Sequence, residues 1–213
     1  CDKLNLQTGA YWGGSHGGSG GRLTTGDTPT PAYDYLLAPL LPGYAGGNGP
    51  QGGGTIRIIA TSATLNGTLN AAGTDGGSSG AAGGGSIWLT CDALTVGSSA
   101  VINARGGNVG SRSYGTNSGS GGGGRVSFGI GLTAAQLESL YGTGEAPGLA
   151  TNDLAQVFPG QVDVSAGYIR ALGVNLHNTG GAGSAVYIVD ATGKVGFSVE
   201  NEPSFAATVS PAL

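Results

Sequence analysis

Charged side chains are scarce in this sequence. Asp, Glu, Lys and Arg make up only 9% of its 213 residues, whereas about 25% is usual for a soluble domain. The eight Lys and Arg residues form no cluster, and the formal net charge is −4. The chain therefore lacks the basic surface with which proteins bind nucleic acid or an anionic membrane, and we expect neither partner.

Long apolar runs and methionine are missing as well. The longest apolar stretch, residues 36–41, is short and contains Pro39, whereas a membrane-spanning helix needs about 20 apolar residues. No membrane-spanning segment is predicted. The sequence has no Met and no charged and apolar leader, which predicts a processed or excised product. Low charge together with abundant Gly, Ser and Thr favours an extracellular or cell-surface location.

Glycine is abundant and recurs in a pattern. The 46 Gly and 9 Pro residues give a composition that is common in disordered chains, but such chains are usually rich in charge. Here, instead, glycine runs precede similar six-residue segments. These are TIRIIA (55–60) after residues 52–54, SIWLTC (86–91) after 83–85, RVSFGI (125–130) after 122–124, and a looser copy, AVYIVD (185–190), after GAGS.

The six-residue segments alternate with a period of two, which predicts β-strands. The second, fourth and sixth positions of each are assigned to an inward face: Ile56, Ile58, Ala60, Ile87, Leu89, Cys91, Val126, Phe128, Ile130, Val186, Ile188 and Asp190. The intervening positions are assigned to an outward face: Thr55, Arg57, Ser86, Trp88, Thr90, Arg125, Ser127 and Tyr187.

A second extended element follows each of the first three segments: TLNAAG (68–73), VINARGG (101–107) and VDVSAG (162–167). One such unit cannot bury its apolar face, but units stacked at the strand spacing of about 4.8 Å can. Glycine is expected to supply positive φ at the corners and to let chains approach closely. The pattern predicts an all-β fold, a parallel β-helix (solenoid) with glycine-rich loops.

These motifs resemble a known class of repeat. GGGTIRI, LNGTLNAAG, GGGSIWL, INARGG and GGGGRVSF, with GGSHGGSGG before them and GGAGSAVYIVDATGKVGFSVEN after them, are similar to the glycine-rich parallel β-helix repeat region of very large secreted or surface proteins of bacteria. The resemblance covers about residues 10–200. It implies an extracellular structural or adhesive role without an established activity, so it carries over no catalytic residue.

The domain prediction is one glycine-rich β-solenoid over residues 1–200 with a short helix inserted at 133–141. Thr133 and Gln136 form a capping box, Leu137 and Leu140 form an apolar stripe, and Gly142 is expected to stop the helix. Residues 201–213 are predicted to be a C-terminal extension, and its strand-like part, 204–213, is a candidate strand for donation to a neighbouring molecule.

Residues with reactive side chains are few. Cys1 and Cys91 occupy equivalent places in CDKL and CDAL. Two rungs would separate them by about 9.5 Å, beyond the roughly 7 Å that a disulfide spans. A small buried side chain is favoured for each, and a lipidated or a bridged Cys1 stays open. His16 and His177 stand in glycine- or asparagine-rich sequence without a metal-binding spacing, which favours surface or loop packing.

The remaining candidates are acids, aromatics and one sequon. Asp27, Asp34, Asp75, Asp163 and Glu138 are scattered, whereas glycoside hydrolysis needs two neighbouring carboxylates. GTDGG (73–77) occurs once, which disfavours a calcium-binding roll. Asn66-Gly67-Thr68 is either a glycosylation sequon or an Asn-Gly turn. The aromatic residues either supply contact area for sugars or protein or cover the glycine-rich loops: Tyr11, Trp12, Tyr33, Tyr35, Tyr44, Trp88 and Tyr114.

The leading hypothesis is a noncatalytic extracellular structural protein. It would self-assemble head to tail through its solenoid ends into a surface fibre, sheath or adhesin stalk, with copies of itself as partners. The alternative is a polysaccharide-binding or polysaccharide-cleaving β-helix module, with surface polysaccharide as the partner. No enzyme activity, cofactor, metal or catalytic residue is predicted.

Overall fold

The computed structural model of the chain describes residues 11–24, 26–110, 118–145, 148–169, 179–189 and 197–199. Its elements, in chain order, are β1 (Thr55–Leu65), β2 (Thr68–Asn70), β3 (Ser86–Val96), β4 (Val101–Asn103), β5 (Arg125–Ile130), α1 (Ala134–Thr143), β6 (Ala150–Asp153), α2 (Leu154–Val157), β7 (Gln161–Asp163), β8 (Ser184–Val189) and β9 (Phe197–Val199). The predicted tail 201–213 lies outside the described residues.

The strands form two sheets. The main sheet has the order β1-β3-β5-β8-β6, with β9 paired to the far half of β3. β1, β3, β5 and β8 are parallel, and Ile56, Ile87 and Val126 stand opposite one another in register. The small sheet is the parallel set β2-β4-β7. The glycine-led segments therefore pair with each other across 31 and 39 residues of sequence.

A core of apolar side chains lies between the two sheets. Ile87, Leu89, Val126 and Phe128 of the main sheet and Ile102 of the small sheet are all fully buried there. Burial of each such side chain stabilises the fold by about 1.5–3 kcal/mol. The alternate inward positions of the first three segments are thus the ones that build this core.

The other face of the main sheet is also covered, so the prediction of an outward face is wrong for the inner strands. Ser86, Trp88, Thr90 and Ser127 are at most 3% exposed. A second core covers them, formed by residues 37–38 and helix α1. The hydroxyl of Ser127, for example, donates to the carbonyl of Leu37 at 2.7 Å. On β1, which this layer contacts only at its margin, Thr55, Arg57 and Ile59 keep exposed side chains.

The predicted fold class, an all-β parallel β-helix, is wrong. The described residues form a mixed fold in which β6 pairs antiparallel with β8 and in which helices α1 and α2 contribute Leu140 and Leu154 to the two cores. The glycine-rich stretches between strands are not simple corners. They hydrogen-bond to one another over long distances in sequence. The glycine-rich stretches therefore form a third kind of structure in the molecule, besides the sheets and the helices.

The fourth segment is shifted by one residue from its predicted register. Ser184 pairs with Arg125, so Ala185 and Tyr187 face the core between the sheets, and Ile188 faces the second core. The prediction that Val186 and Ile188 point inward is therefore wrong, and Asp190 lies outside the described residues. A slip of one residue exchanges the two faces of a strand. In β8 the last glycine is Gly183. The residue directly after it, Ser184, pairs with Arg125 and so sets the register of the strand.

Helix α1 begins as its sequence predicts and ends later. Thr133 caps it, the Thr133 hydroxyl accepts from the amide of Gln136, and the Gln136 side chain accepts from the amide of Thr133. The helix passes through Gly142 and ends at Gly144, whose φ of 70° is left-handed. Gly142 as the stop is therefore wrong, because it is Gly144 that has the backbone conformation which ends a helix.

The glycine-rich stretches form what we call the glycine bundle: residues 11–21, 42–53, 71–76, 80–85, 104–110, 118–124, 164–169 and 179–183. Backbone hydrogen bonds join its members. The central segment, 80–85, bonds to five others, through Gly14 N to Ala81 O, Gly83 N to Tyr44 O, Gly85 N to Ala71 O, Gly107 N to Ala82 O and Gly84 N to Gly122 O, all at 2.7–2.9 Å. The bundle therefore satisfies buried backbone groups without forming a sheet.

Glycine is required in this bundle because the backbones touch. A Cβ at Gly84 would lie 1.9 Å from the carbonyl oxygen of Ala104, and one at Gly121 would lie 1.8 Å from that of Ala82. Neither residue has a left-handed φ. The expectation that the triplets supply positive φ is therefore wrong, whereas close approach of chains explains these positions, as it does at the crowded axis of collagen.

Candidate functional site

The buried cluster of His16, Asp34 and Ser86 is the first candidate site. His16 Nε2 lies 3.1 Å from Asp34 Oδ2, and Ser86 Oγ lies 3.1 Å from the same carboxylate oxygen and 3.4 Å from His16 Nε2. The side chains of His16 and Asp34 are 0% and 1% exposed. The sequence predicts surface or loop packing for His16, whereas its side chain is buried. Nothing in the sequence connects His16 with Asp34, because no pattern indicates that these loops meet.

Asp34 is the centre of the cluster. Its carboxylate also accepts from the amides of Tyr35, Leu40 and Leu41 at 2.8–2.9 Å, and its φ of 72° is left-handed, a conformation that Asp tolerates better than most residues. Burial raises the pKa of this carboxyl, but hydrogen bonds from His16, Leu41 and Tyr35 outweigh burial and hold the pKa below its ordinary value.

The geometry of this cluster suits anchoring better than nucleophilic catalysis. In a Ser-His-Asp triad, the serine and the aspartate meet different nitrogens of the imidazole. Here both lie at His16 Nε2, while Nδ1 is buried and has no hydrogen-bond partner among the described residues. The Ser86 hydroxyl donates to the carbonyl of Leu41 at 2.6 Å. The cluster therefore ties residues 34–41 to the start of β3.

The other predicted acids have separate local partners. Asp27 accepts from the amide of Thr24, Asp75 accepts from the amide of Asn108, and Asp163 accepts from the amide of Ser165. Glu138 is exposed on α1. In the part of the chain that the structure describes, no three His, Cys, Asp or Glu side chains are grouped so that they could hold a metal ion.

Cys91 is a buried core residue. Its side chain packs between the sheets, it is in no disulfide among the described residues, and burial, with the nearby charge of Asp92, raises the pKa of its thiol. A raised pKa disfavours the reactive thiolate. Cys1, His177 and Tyr114 lie outside the described residues.

The aromatic side chains divide between packing and exposure. Trp88 is 1% exposed, and the Arg57 guanidinium lies 4.8 Å from its ring centre and 4.9 Å from that of Tyr141. Arg57 therefore covers one face of each ring. Tyr33 packs against His16 at 4.9 Å, Tyr11, Trp12 and Tyr44 are half-buried, and Tyr35 is 55% exposed. Sequence reasoning missed Tyr141.

An exposed apolar surface surrounds the β1 side of the main sheet. Its large side chains come from residues 35–41, β1 and α1: Tyr35, Leu36, Leu40, Leu41, Ile59 and Tyr141. Residues 35–41 lie near β1, because Thr55 Oγ1 donates to the carbonyl of Leu40. Helix α1 lies near β1 as well, because Arg57 stacks on Tyr141. A groove of about 320 Å³, lined by Ile59, Thr90, Leu132 and Leu137, opens here.

The second candidate site is the end of the molecule formed by β1 and β2. Both are terminal strands, β1 in the main sheet and β2 in the small sheet, and no strand among the described residues pairs with their outer edges. Burial decreases towards this end: Ile87 and Ile102 are 0% exposed, whereas their neighbours Ile56 and Leu69 are only partly buried. We call this surface the open end.

Comparison with known proteins adds no relative. No family model matches the chain, and no curated protein or solved structure matches it either. Neither helix in the described part of the chain has the length and apolar character that crossing a membrane requires.

Proposed function

We propose that this protein is a noncatalytic structural component of an extracellular or cell-surface assembly, and that its copies associate with each other through the open end. The observation that carries the proposal is that the free edges of both sheets lie at the same end. Free strand edges are templates for pairing with another chain, and proteins usually protect them with charge, proline or short length. β1 has 11 residues, no proline and one charged residue, Arg57.

The opposite end is protected in the way that β1 is not. There the main sheet ends in β6, which has four residues, all exposed, and one of them is Asp153. The reactive side chains of the described residues support a structural role too, because His16, Ser86 and Cys91 are buried in packing. The chain thus offers a partner backbone and apolar surface instead of a reactive group.

The substitution Ile59→Lys tests this proposal. Ile59 is 60% exposed on the free edge, so a lysine there is expected to leave the fold intact and to introduce a charge into the contact between copies. We expect the wild type to form oligomers or filaments as its concentration rises, and the variant to remain monomeric. Light scattering after size-exclusion chromatography and negative-stain microscopy measure this.

The matched control is Ala155→Lys, which adds the same charge to an exposed position of α2. It should associate as the wild type does. A wild type that stays monodisperse and monomeric at high concentration would refute self-association. Equal association of Ile59→Lys would show that copies meet at another surface.

A polysaccharide-binding function is the second candidate, and the observation that favours it is the pair of exposed tyrosines near the C-terminal end of α1. Tyr141 is 40% exposed, and Tyr35, 55% exposed, lies beside Gly144. Exposed tyrosine supplies flat apolar area with a polar hydroxyl. Retention of the wild type, and not of Tyr35→Ala, on immobilised polysaccharides would support this function. Passage of both without retention would refute it.

A further inference from the structure

The glycines immediately before four strands of the main sheet form a ladder of their own. Gly54, Gly85, Gly124 and Gly183 precede β1, β3, β5 and β8, whose first residues pair in register. A Cβ at Gly85 would lie 2.0 Å from the carbonyl oxygen of Gly54. The corresponding distances are 2.1 Å from Gly124 to the Gly85 oxygen and 1.9 Å from Gly183 to the Gly124 oxygen.

Three of these four glycines are therefore required by the neighbouring backbone. In each case the place of the Cβ is taken by the carbonyl of the preceding strand's leading glycine. Real Cβ atoms do not approach other atoms so closely, and a backbone carbonyl held in a ladder cannot move aside. The direction is constant along the ladder, because each Cβ would point from its strand towards the one before it.

Gly54 is the exception. It is exposed, its φ is not left-handed, and no described atom lies within 4 Å of the position of its Cβ. Glycine loses more backbone freedom on folding than any other residue, so it is disfavoured where neither space nor backbone conformation requires it. The contacts within the described chain give no reason for glycine here. A further backbone along the outer edge of β1 would give one.

In the small sheet, too, the glycine before the terminal strand has no described backbone beside the position of its Cβ. Gly67, Ala100 and Gly160 precede β2, β4 and β7, and a Cβ at Gly160 would lie 2.1 Å from the Ala100 carbonyl oxygen. Nothing described lies within 4 Å of a Cβ at Gly67. Ala100 shows that a methyl fits in the middle of this ladder, so Gly54 is the more diagnostic of the two positions.

Backbone amides of β1 also point outward along its free edge. Ser86 N donates to the carbonyl of Gly54, and hydrogen bonding alternates along a strand. The amides of Thr55, Arg57 and Ile59 therefore point away from β3. The partly buried side chains of Ile56 and Ile58 would be covered by a strand placed there, as Ile87 is covered in the ladder.

We infer that the edge of β1 that begins at Gly54 is a docking site for the start of β8 of a second copy of this chain. The pairing within one copy selects this occupant: β3 accepts glycine-led strands on both of its edges, but β8 is the last such strand of the sheet, and β6 pairs only with its residues 186–189. The Gly183 carbonyl and the first residues of β8 therefore remain to face Gly54. The inference rests on the proposed function and specifies its contact.

The substitution Gly54→Val tests the inference. A valine Cβ and its methyl groups would fill the place of the incoming carbonyl, so we expect the concentration needed for association to rise about tenfold or more. The thermal midpoint of the dilute monomer should not fall, since the valine meets no described atom and valine favours strands. The matched control is Gly142→Val on α1, where a Cβ also meets nothing; it should associate as the wild type does.

A second measurement separates the site from self-association. A synthetic peptide of residues 122–130, GGGRVSFGI, is a glycine-led strand, and fluorescence anisotropy would measure its binding to the dilute full chain. We expect the wild type and Gly142→Val to bind it and Gly54→Val not to bind it.

The outcomes distinguish the two proposals. Association of the wild type that Gly54→Val leaves unchanged overturns the docking site and leaves self-association standing. A monomeric wild type that binds the peptide only when Gly54 is intact would show that this edge accepts a glycine-led strand, but it would overturn the second copy as its occupant and refute self-association. A monomeric wild type that does not bind the peptide overturns both.

Discussion

Replacing Gly121 by alanine is expected to lower the free energy of unfolding more than adding a methyl group at almost any other position would. The Cβ would lie 1.8 Å from the Ala82 carbonyl oxygen and 2.5 Å from its carbon. Both partners are fixed, because Gly121 N donates to Gly107 O and Ala82 O accepts from Gly107 N. Relief of the overlap must break these bonds and separate segments of the glycine bundle. We expect a loss of about 3 kcal/mol or more from a total of about 5–15 kcal/mol.

Thermal and urea unfolding of the Gly121→Ala variant would measure this loss, and a fall of the thermal midpoint by about 10 °C is expected for a chain of this size. The control is Gly142→Ala, the same change in α1, where nothing lies within 4 Å of the new Cβ. It should be neutral or stabilising by up to about 1 kcal/mol, because alanine favours helix. If both variants unfolded at the same temperature, the glycine bundle would not be the rigid core that its contacts indicate.

The strands and their partners could be predicted because they depend on local pattern. The alternation in TIRIIA, SIWLTC and RVSFGI places Ile87, Leu89, Val126 and Phe128 in the core, and glycine triplets mark the residue before each strand. The register of β8 was misjudged because its leading segment, GAGS, ends in a serine. That serine is the first residue of the strand, as Ser86 is of β3.

The layer above the main sheet could not be predicted from the same pattern. Residues 34–41 are held there by Asp34, whose partners His16 and Ser86 are 18 and 52 residues away. Trp88 reads as an outward residue by alternation, and it is buried only because Ala38 and Leu140 come from distant sequence to cover it. A period-two pattern identifies two faces of a strand and does not say whether the second face receives a cover.

The open end was also placed differently by sequence reasoning. The sequence predicts a donor strand in 204–213, which lies outside the described residues. In the structure the vacancy is visible at Gly54, because among the glycines that lead the described strands β1, β3, β5 and β8 it alone faces no carbonyl. A glycine count cannot find this position, since 46 glycines look alike until the neighbour of each is known.

Replacing Asp34 by glycine is expected to release residues 34–41 from the sheet. Glycine keeps the left-handed backbone at φ 72° but leaves the buried His16 and three amides without their acceptor, whereas Ser86 keeps the Leu41 carbonyl as its acceptor. Loss of one partner from such a buried, hydrogen-bonded group costs about 3–5 kcal/mol. Urea unfolding should show this loss, and a red shift of tryptophan fluorescence should show that Trp88 has lost its cover. Asp27→Gly, which removes a partly exposed carboxylate bonded to the Thr24 amide, should cost less than about 1 kcal/mol.

Acid should weaken the same anchor in the wild type. Burial raises the pKa of Asp34, but the hydrogen bonds from His16, Leu41 and Tyr35 prevail, so the pKa in the folded state is below the ordinary 3.8. A carboxyl with a lowered folded pKa contributes stability that is fully present above its unfolded value and is lost as pH falls through the folded value. Asp34→Asn keeps an acceptor oxygen and tolerance of positive φ but cannot titrate. Urea unfolding from pH 7 to about pH 2.5 should therefore show the wild type losing its advantage over Asp34→Asn below about pH 4. Parallel stability profiles of the two proteins across this range would show that Asp34 is not the titrating anchor.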